Sequence, residues 1–399
     1  MAGEGSSTHV LRMLADPKAV ADGVPLVYQR LFTFEPVSDL ALLAGRGEEL
    51  AGAMDRWERW KREDAVPLIV RGRQGTGISS FLNVLCAQIA RRDENVLRIE
   101  LPERIGNEKV LARLISRRLG LPSCAGLAEV ASAVFDTHET PGVVALDNLE
   151  HLYLRVPGGT DLTERLLTLM SETEPRIFWI GGISTSAWQL VSTAEPNAVS
   201  QVEIFDLSPL TPEELREAIT VRHQRSGLPV RFEEPTEGRA LLRRRLRRAR
   251  TAEARRELLV ADFFDQLQRH SGGNLRLALF LSLEASDFES GDGLLMHPPM
   301  KPDFSLLETL TLTQNFTLKA FLEHRTLTLT EHDRIFRLPR HESYQIFESL
   351  VNRHLIRALP RTRSEGEERS EVEEELRYSI RPLLVGAVIA HLTARNIVH

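Results

Sequence analysis

The stretch VPLIVRGRQGTGISSFLNVL, residues 66–85, constrains the fold more than any other part of the chain. A short apolar run reads as a buried strand, a glycine-rich turn follows, and an amphipathic helix begins at once. A turn of the form G-x-x-x-x-G-K-[ST] in this setting gathers main-chain N–H groups and the positive end of a helix around one anion. Gly72 and Gly77 hold the two glycine positions, Gly75 permits close backbone approach, and Thr76 lies between Gly75 and Gly77. Ser79 holds the hydroxyl position that would ligate Mg²⁺, with Ser80 beside it. Position 78, where the pattern requires lysine, is Ile78.

Isoleucine brings neither charge nor donor. Losing a charge-assisted contact of this kind costs about 1.5–3 kcal/mol, or roughly ten- to a hundredfold in affinity. Catalysis suffers more, because charge on a transferring phosphoryl group goes unneutralised. Two readings stand side by side. Either the main-chain amides still hold ATP or ADP, or the loop is kept for its strand-to-helix turn and holds no ligand. Efficient hydrolysis is expected under neither.

From about Val66 to Leu207 short apolar runs alternate with helical stretches. The strand candidates are VPLIV, NVLRIEL, GVVALD, RIFWIGG and VEIFDL, rich in Val, Ile and Phe with little polar alternation, as in strands buried on both faces. Between them lie SSFLNVLCAQIARR, EKVLARLISRRLG and TERLLTLMSE, which read as helices. This alternation predicts a three-layer α/β domain around a parallel sheet. GVVALDNLEHL then places Asp147 at the carboxyl edge of that sheet, where open α/β folds bind ligands and where a Mg²⁺ carboxylate belongs. Asn148 follows it, and Glu150 reaches the site only if the strand end bends inward; the alternative role for Asp147 is a helix N-cap.

Composition excludes some classes. A net charge of -6 gives no global attraction to nucleic acid or anionic membrane, so such contact needs a local patch. Cys86 and Cys124 are too few for a disulfide framework, and no histidine shows metal-ligand spacing. LLVGAVIAHL is half the length a membrane span needs, and the opening MAGEGSSTHV lacks an apolar signal region. A cytoplasmic location is expected.

The order LLAGRGEEL, GRQGTGISS, VVALDNLEHL, FWIGGISTS, FDLSPLTPEEL and HSGGNLRLALF, over roughly residues 25–290, resembles AAA+ P-loop ATPases of the Orc/Cdc6-like and STAND groups. The resemblance implies an adenine contact at Gly45 and Arg46, γ-phosphate sensing at Ser184 or Thr185, and a lid contact from Arg276. It also implies an arginine finger, for which Arg222 is a candidate by position. Ile78 departs from the family at its most diagnostic residue. Each residue has a plainer role too: Arg46 pairing with Glu48 or Glu49, Ser184 and Thr185 capping a helix, Arg276 solvated on the lid.

The expected organisation is an N-terminal segment 1–24, an AAA+ α/β domain 25–210, a helical lid 211–290, a linker 291–303 and a winged-helix-like domain 304–399. The lid carries Arg239, Arg243, Arg244, Arg245, Arg247, Arg248, Arg250, Arg255 and Arg256, with Leu242, Leu246 and Ala249 on one face. Such a run is either a solvated face or a surface for phosphates, Arg243, Arg244, Arg247 and Arg248 being the nucleic-acid candidates. The acidic segment with Glu365, Glu367, Glu368, Glu371, Glu373, Glu374 and Glu375 would repel DNA and is expected to dock on the arginine helix instead. The chain thus reads as a nucleotide-binding switch or adaptor with a protein partner or a like subunit. The alternative is a DNA-associated initiator or transposition-type regulator.

Overall fold

The computed structural model describes residues 24–62, 66–92, 94–137, 142–235, 239–288, 293–360 and 375–398. They divide into two compact units. One comprises Met1–Met54, Gly75–Ala87 and Leu207–Phe304, and the other Asp55–Gln74, Gln88–Asp206 and Ser305–His399.

The second unit holds the main sheet. Its strands are β1 (Leu68–Gly72), β2 (Val96–Glu100), β3 (Val143–Asp147), β4 (Phe178–Ser184) and β5 (Glu203–Leu207), in the order β2-β3-β4-β1-β5. The pairs β2–β3, β3–β4 and β1–β4 run parallel. Each of the five apolar runs read from the sequence has become one of these strands. Every residue of β3 and β4 is buried, which requires helices over both faces and gives the three-layer α/β architecture. Helices Glu108–Leu119, Leu127–Asp136 and Asp161–Glu172 bury Leu111, Ile115, Val130 and Leu166 in one core with Ile99, Val144, Leu146 and Trp179.

Strand order fixes where a ligand can approach. The chain leaves β1 toward β2 at one edge of the sheet, whereas it leaves the adjacent β4 toward β5 at the other edge. That divergence opens a crevice beyond the carboxyl ends of β1 and β4. In register, Gly72 at the end of β1 sits opposite Ser184 at the end of β4.

The same unit ends in helices Leu312–His324, Leu329–Phe336 and Arg340–Asn352, the antiparallel pair β9 (Ile356–Ala358) and β10 (Tyr378–Ile380), and helix Val385–Ala394. Three helices followed by a two-stranded ribbon make a winged-helix-like arrangement. The acidic stretch between the two strands lies outside the described residues except Glu375. That carboxylate accepts from the Thr330 N–H and pairs with Arg340, within its own unit.

In the first unit, helices Pro212–Ser226, Ala240–Arg248, Ala252–Ser271 and Leu275–Glu284 follow β5. The sequence reading of helices alone here needs a correction. β6 (Val230–Phe232), β7 (Ser286–Asp287) and β8 (Leu294–Met296) form a small sheet in the order β6-β8-β7. β8 lies in the stretch expected to be a linker, because Leu294 and Met296 are buried despite their Gly- and Pro-rich flanks. In the arginine helix Leu242 and Leu246 are buried while Leu241 is 78% exposed, so its apolar face is narrow. Among the described residues no helix is long and apolar enough to cross a membrane.

Among the described residues His151, His223, His324 and His332 are buried, and burial lowers the pKa of each. Burial lowers His151 to about 3 and His223 and His332 to about 4, all from an ordinary 6.5. His332 lies within hydrogen-bond distance of the hydroxyls of Thr317 and Ser343, at 2.9 and 2.8 Å. A depressed histidine pKa stabilises the fold fully above the unfolded value, and the contribution is lost as pH falls toward the folded one. The melting temperature is therefore expected to drop between about pH 6.5 and 4. Circular-dichroism melts should show a shallower drop for His332→Gln than for the native chain.

Candidate functional site

The glycine loop keeps an open form. Gly75 and Gly77 adopt φ of 90° and 96°, left-handed conformations that side-chain-bearing residues reach only at a cost. Helix Ile78–Ala90 begins directly after them, and its first intrahelical acceptor is the Gly77 carbonyl, which takes the Phe81 N–H at 2.8 Å. The N–H groups before Phe81 therefore have no partner from within the helix. A Cβ placed on Gly77 would meet nothing within 4 Å. Ile78 is half-buried at the helix start.

Neighbours in the same unit hold the loop in shape. The buried Arg46 guanidinium donates to the carbonyls of Thr76 and Ser208, at 3.4 and 2.6 Å, and pairs with Glu49 at 2.6 Å. Arg46 therefore braces the outer side of the loop. Gly45, at φ 82°, packs its Cα against the Glu214 main chain. Ser80 Oγ accepts from the Val37 N–H at 3.1 Å, and Asn83 donates to the Val37 carbonyl at 3.3 Å, strapping residues near Val37 to the helix. The hydroxyl of Ser79 makes no hydrogen bond among the described residues.

Asn274 comes closest to the loop from the lid. Its Oδ1 caps helix Leu275–Glu284 by accepting from the Leu277 N–H at 3.2 Å. The same side chain lies where a Gly75 Cβ would be, its Nδ2 only 2.5 Å from that position. The SGGN turn is fixed in turn by the Leu210 N–H, which donates to the Gly273 carbonyl at 2.9 Å. Arg276, two residues beyond Asn274, is half-buried on the first turn of this helix. The sequence singled out Arg276 and missed Asn274. The signal for it was legible in an Asn that both follows a glycine pair and opens a helix.

The carboxylates lie in the other unit. Asp147 is buried, with Oδ2 accepting from Arg98 at 2.6 Å and Oδ1 from the Asn148 N–H at 2.9 Å. Asn148 takes the left-handed conformation at φ 65°, so the chain turns sharply after β3. The turn leads Glu150 into a buried 3₁₀ segment, where Arg325 pairs with its Oε1 at 3.4 Å and its Oε2 has no hydrogen bond. Burial raises the Glu150 pKa against the pull of Arg325. Ser184 caps helix Thr185–Ala194, accepting from the Ala187 N–H at 3.3 Å, and Thr185 is the first residue of that helix.

One positional expectation is corrected. Arg222 is not available to a neighbouring subunit, because it is buried and its guanidinium donates to the carbonyls of Leu31, Ala218 and Leu42. Of the two residues named for a divalent cation, Ser79 lies in the first unit and Asp147 in the second, where both Asp147 oxygens already accept hydrogen bonds within the chain. Among the described residues no group of three or more His, Cys, Asp or Glu is placed to hold a metal ion.

No protein-family model matches the sequence, and no curated protein matches it. Solved structures similar to the chain include the Aeropyrum pernix Orc1 protein in complex with DNA, at 16% identity and a TM-score of 0.40, covering 93% of this chain and 97% of that one. Cdc6p from Pyrobaculum aerophilum is similar at 15% identity and a TM-score of 0.45, covering 92% and 98%. The Walker-type ATPase paby2304 of Pyrococcus abyssi is similar at 13% identity and a TM-score of 0.43, covering 90% and 99%. None of these likenesses assigns a function to this chain.

The contact at Gly75 is testable. Gly75→Ala combines an unfavourable φ with a clash on Asn274, and is expected to destabilise by roughly 1–3 kcal/mol. Chemical denaturation of Gly75→Ala and of Gly75→Ala with Asn274→Ala separates the two effects. The second substitution should return the steric part of the loss and leave the backbone part.

Proposed function

We propose that this chain is a nucleotide-binding switch or adaptor of the AAA+ type, holding ATP or ADP with hydrolysis weak or absent. One observation carries the reading: a loop open at Gly77, followed by helix-start N–H groups that have no acceptor within their helix, in which position 78 supplies no cation. Main-chain amides and the helix dipole are enough to favour a phosphate there. The contact of Asn274 with Gly75 supports coupling between the occupied loop and the lid helix that carries Arg276. A ligand can shift that helix only as far as it binds its two positions differently.

Weak hydrolysis has its own support. Each candidate carboxylate faces an arginine, Asp147 pairing with Arg98 and Glu150 with Arg325. The sensing roles of Ser184 and Thr185 and the adenine contact at Gly45 and Arg46 belong to the same proposal and rest on the sequence resemblance alone. The domain boundaries at 210, 290 and 304, the cytoplasmic location, and a partner protein or like subunit as the receiver of the switch are proposed with them.

A DNA-associated role is the second reading, favoured by the arginine helix. Arg244, Arg247 and Arg248 are exposed and make no ion pair among the described residues, and Arg243 is exposed beside them. Duplex binding through them would weaken steeply with salt.

Thermal denaturation with added nucleotide tests the first reading. ATP or ADP at about a hundred times its Kd should stabilise the chain by about 2.7 kcal/mol, with phosphate release at background. A melting temperature unmoved by saturating nucleotide contradicts the binding; rapid turnover contradicts the switch.

A further inference from the structure

We infer that the turn at Arg325 is a strained latch, from which the winged-helix-like part of the second unit comes off the sheet while both stay folded. Every residue of the latch lies in that one unit, and the inference is independent of nucleotide.

The turn follows helix Leu312–His324, where Arg325 sits at φ 63° and ψ -49°. The Thr326 N–H donates back to the His324 carbonyl at 2.6 Å, closing a three-residue turn over Arg325. With positive φ at its centre such a turn is rare and strained. A side-chain-bearing residue stays in it only where its surroundings hold it there. The holding groups come from the end of β3 and the loops beside it. Arg325 Nη1 donates to Asn148 Oδ1 at 2.5 Å and lies 3.4 Å from Glu150 Oε1. Arg104 Nη2 donates to the carbonyls on both flanks of the turn, His324 at 3.3 Å and Thr326 at 2.9 Å. Asn148 is itself left-handed at φ 65°, so two residues with positive φ meet through one hydrogen bond.

The closed contact carries further costs. Glu150 Oε2, His324 Nδ1 and Thr326 Oγ1 are buried there without a hydrogen bond among the described residues. A buried polar atom without a partner forfeits its hydration and gains no bond in exchange, so water reaching these atoms favours opening. Arg104 forfeits hydration too, and burial lowers its pKa despite the nearby Glu331. Against these costs stand the grips of Arg104 and Arg325 and the Tyr153 hydroxyl, which donates to the Glu323 carbonyl at 2.5 Å. The closed state is thus held by a few polar contacts over a turn that relaxes on release. The winged-helix-like part has its own buried centre in Phe321, Phe347 and Leu350, with the two phenyl rings 5.4 Å apart. It therefore keeps its shape when the latch opens.

Native-state hydrogen exchange on the full chain tests this without any ligand. The reporters are the amides of Thr326 and of Arg155, the latter donating to His324 Nε2 across the contact at 3.4 Å. Arg325→Ala removes the grip but keeps the strained turn, and should speed their exchange roughly tenfold or more over the native chain. Arg325→Gly removes the same grip and the strain with it, and should leave exchange roughly fivefold or more slower than in Arg325→Ala. The amides of helix Arg340–Asn352 should keep their native rates in both variants. Equal exchange in the two variants overturns the strain, and Arg325→Ala exchanging at the native rate overturns the latch. Faster exchange throughout Arg340–Asn352 shows that the part unfolds instead of opening, and overturns the inference as well. If neither variant folds, the native chain decides: reporter amides no faster than those of β3 and β4 overturn it.

Discussion

The proposed function depends on a main-chain shape: a turn that carries two left-handed glycines, Gly75 and Gly77, immediately before a helix. Such a turn is not self-supporting, since glycine has the most conformational freedom to lose. Arg46 holds the Thr76 carbonyl on one side, and Asn274 packs against Gly75 on another. The turn is thus braced by contacts within the chain, without a bound ion or a lysine. Isoleucine at position 78 is half-buried at the helix start and adds neither charge nor donor to the turn.

Charge in the rest of the molecule follows a consistent pattern. Arg98 answers Asp147 and Arg325 answers Glu150. Buried pairs of this sort contribute little net stability over apolar residues, but removing one partner is costly, so they fix a conformation more than they strengthen it. The same logic extends through Arg104, which pairs with Glu331 at 2.8 Å and donates to the Thr326 carbonyl at 2.9 Å. A unit wired in this way is suited to holding positions.

Much of the fold was legible because its signals are local. Five apolar runs gave five strands, and Leu242 and Leu246 marked the buried side of the arginine helix. β6, β7 and β8 escaped because they are two or three residues long, too short for any periodicity, and are held by pairing between distant segments. The loop glycines and the two candidate carboxylates could be named from spacing, but their surroundings could not. Arg98 is 49 residues from Asp147, and Arg325 is 175 from Glu150. An arginine on an edge strand reads as solvent-facing until the register puts it beside an aspartate. Arg222 shows the converse, since position suggested a surface role and three main-chain carbonyls claim its guanidinium.

The most direct measurement is on the main chain itself. Nitrogen-15 and proton shifts of the Gly77, Ile78 and Ser79 amides, followed while ADP is added, report whether those N–H groups meet an anion. Saturable downfield movement confined to the loop and the first turn of its helix is the predicted result. Amide signals that stay in place while ADP reaches saturating concentration would contradict the account at its root.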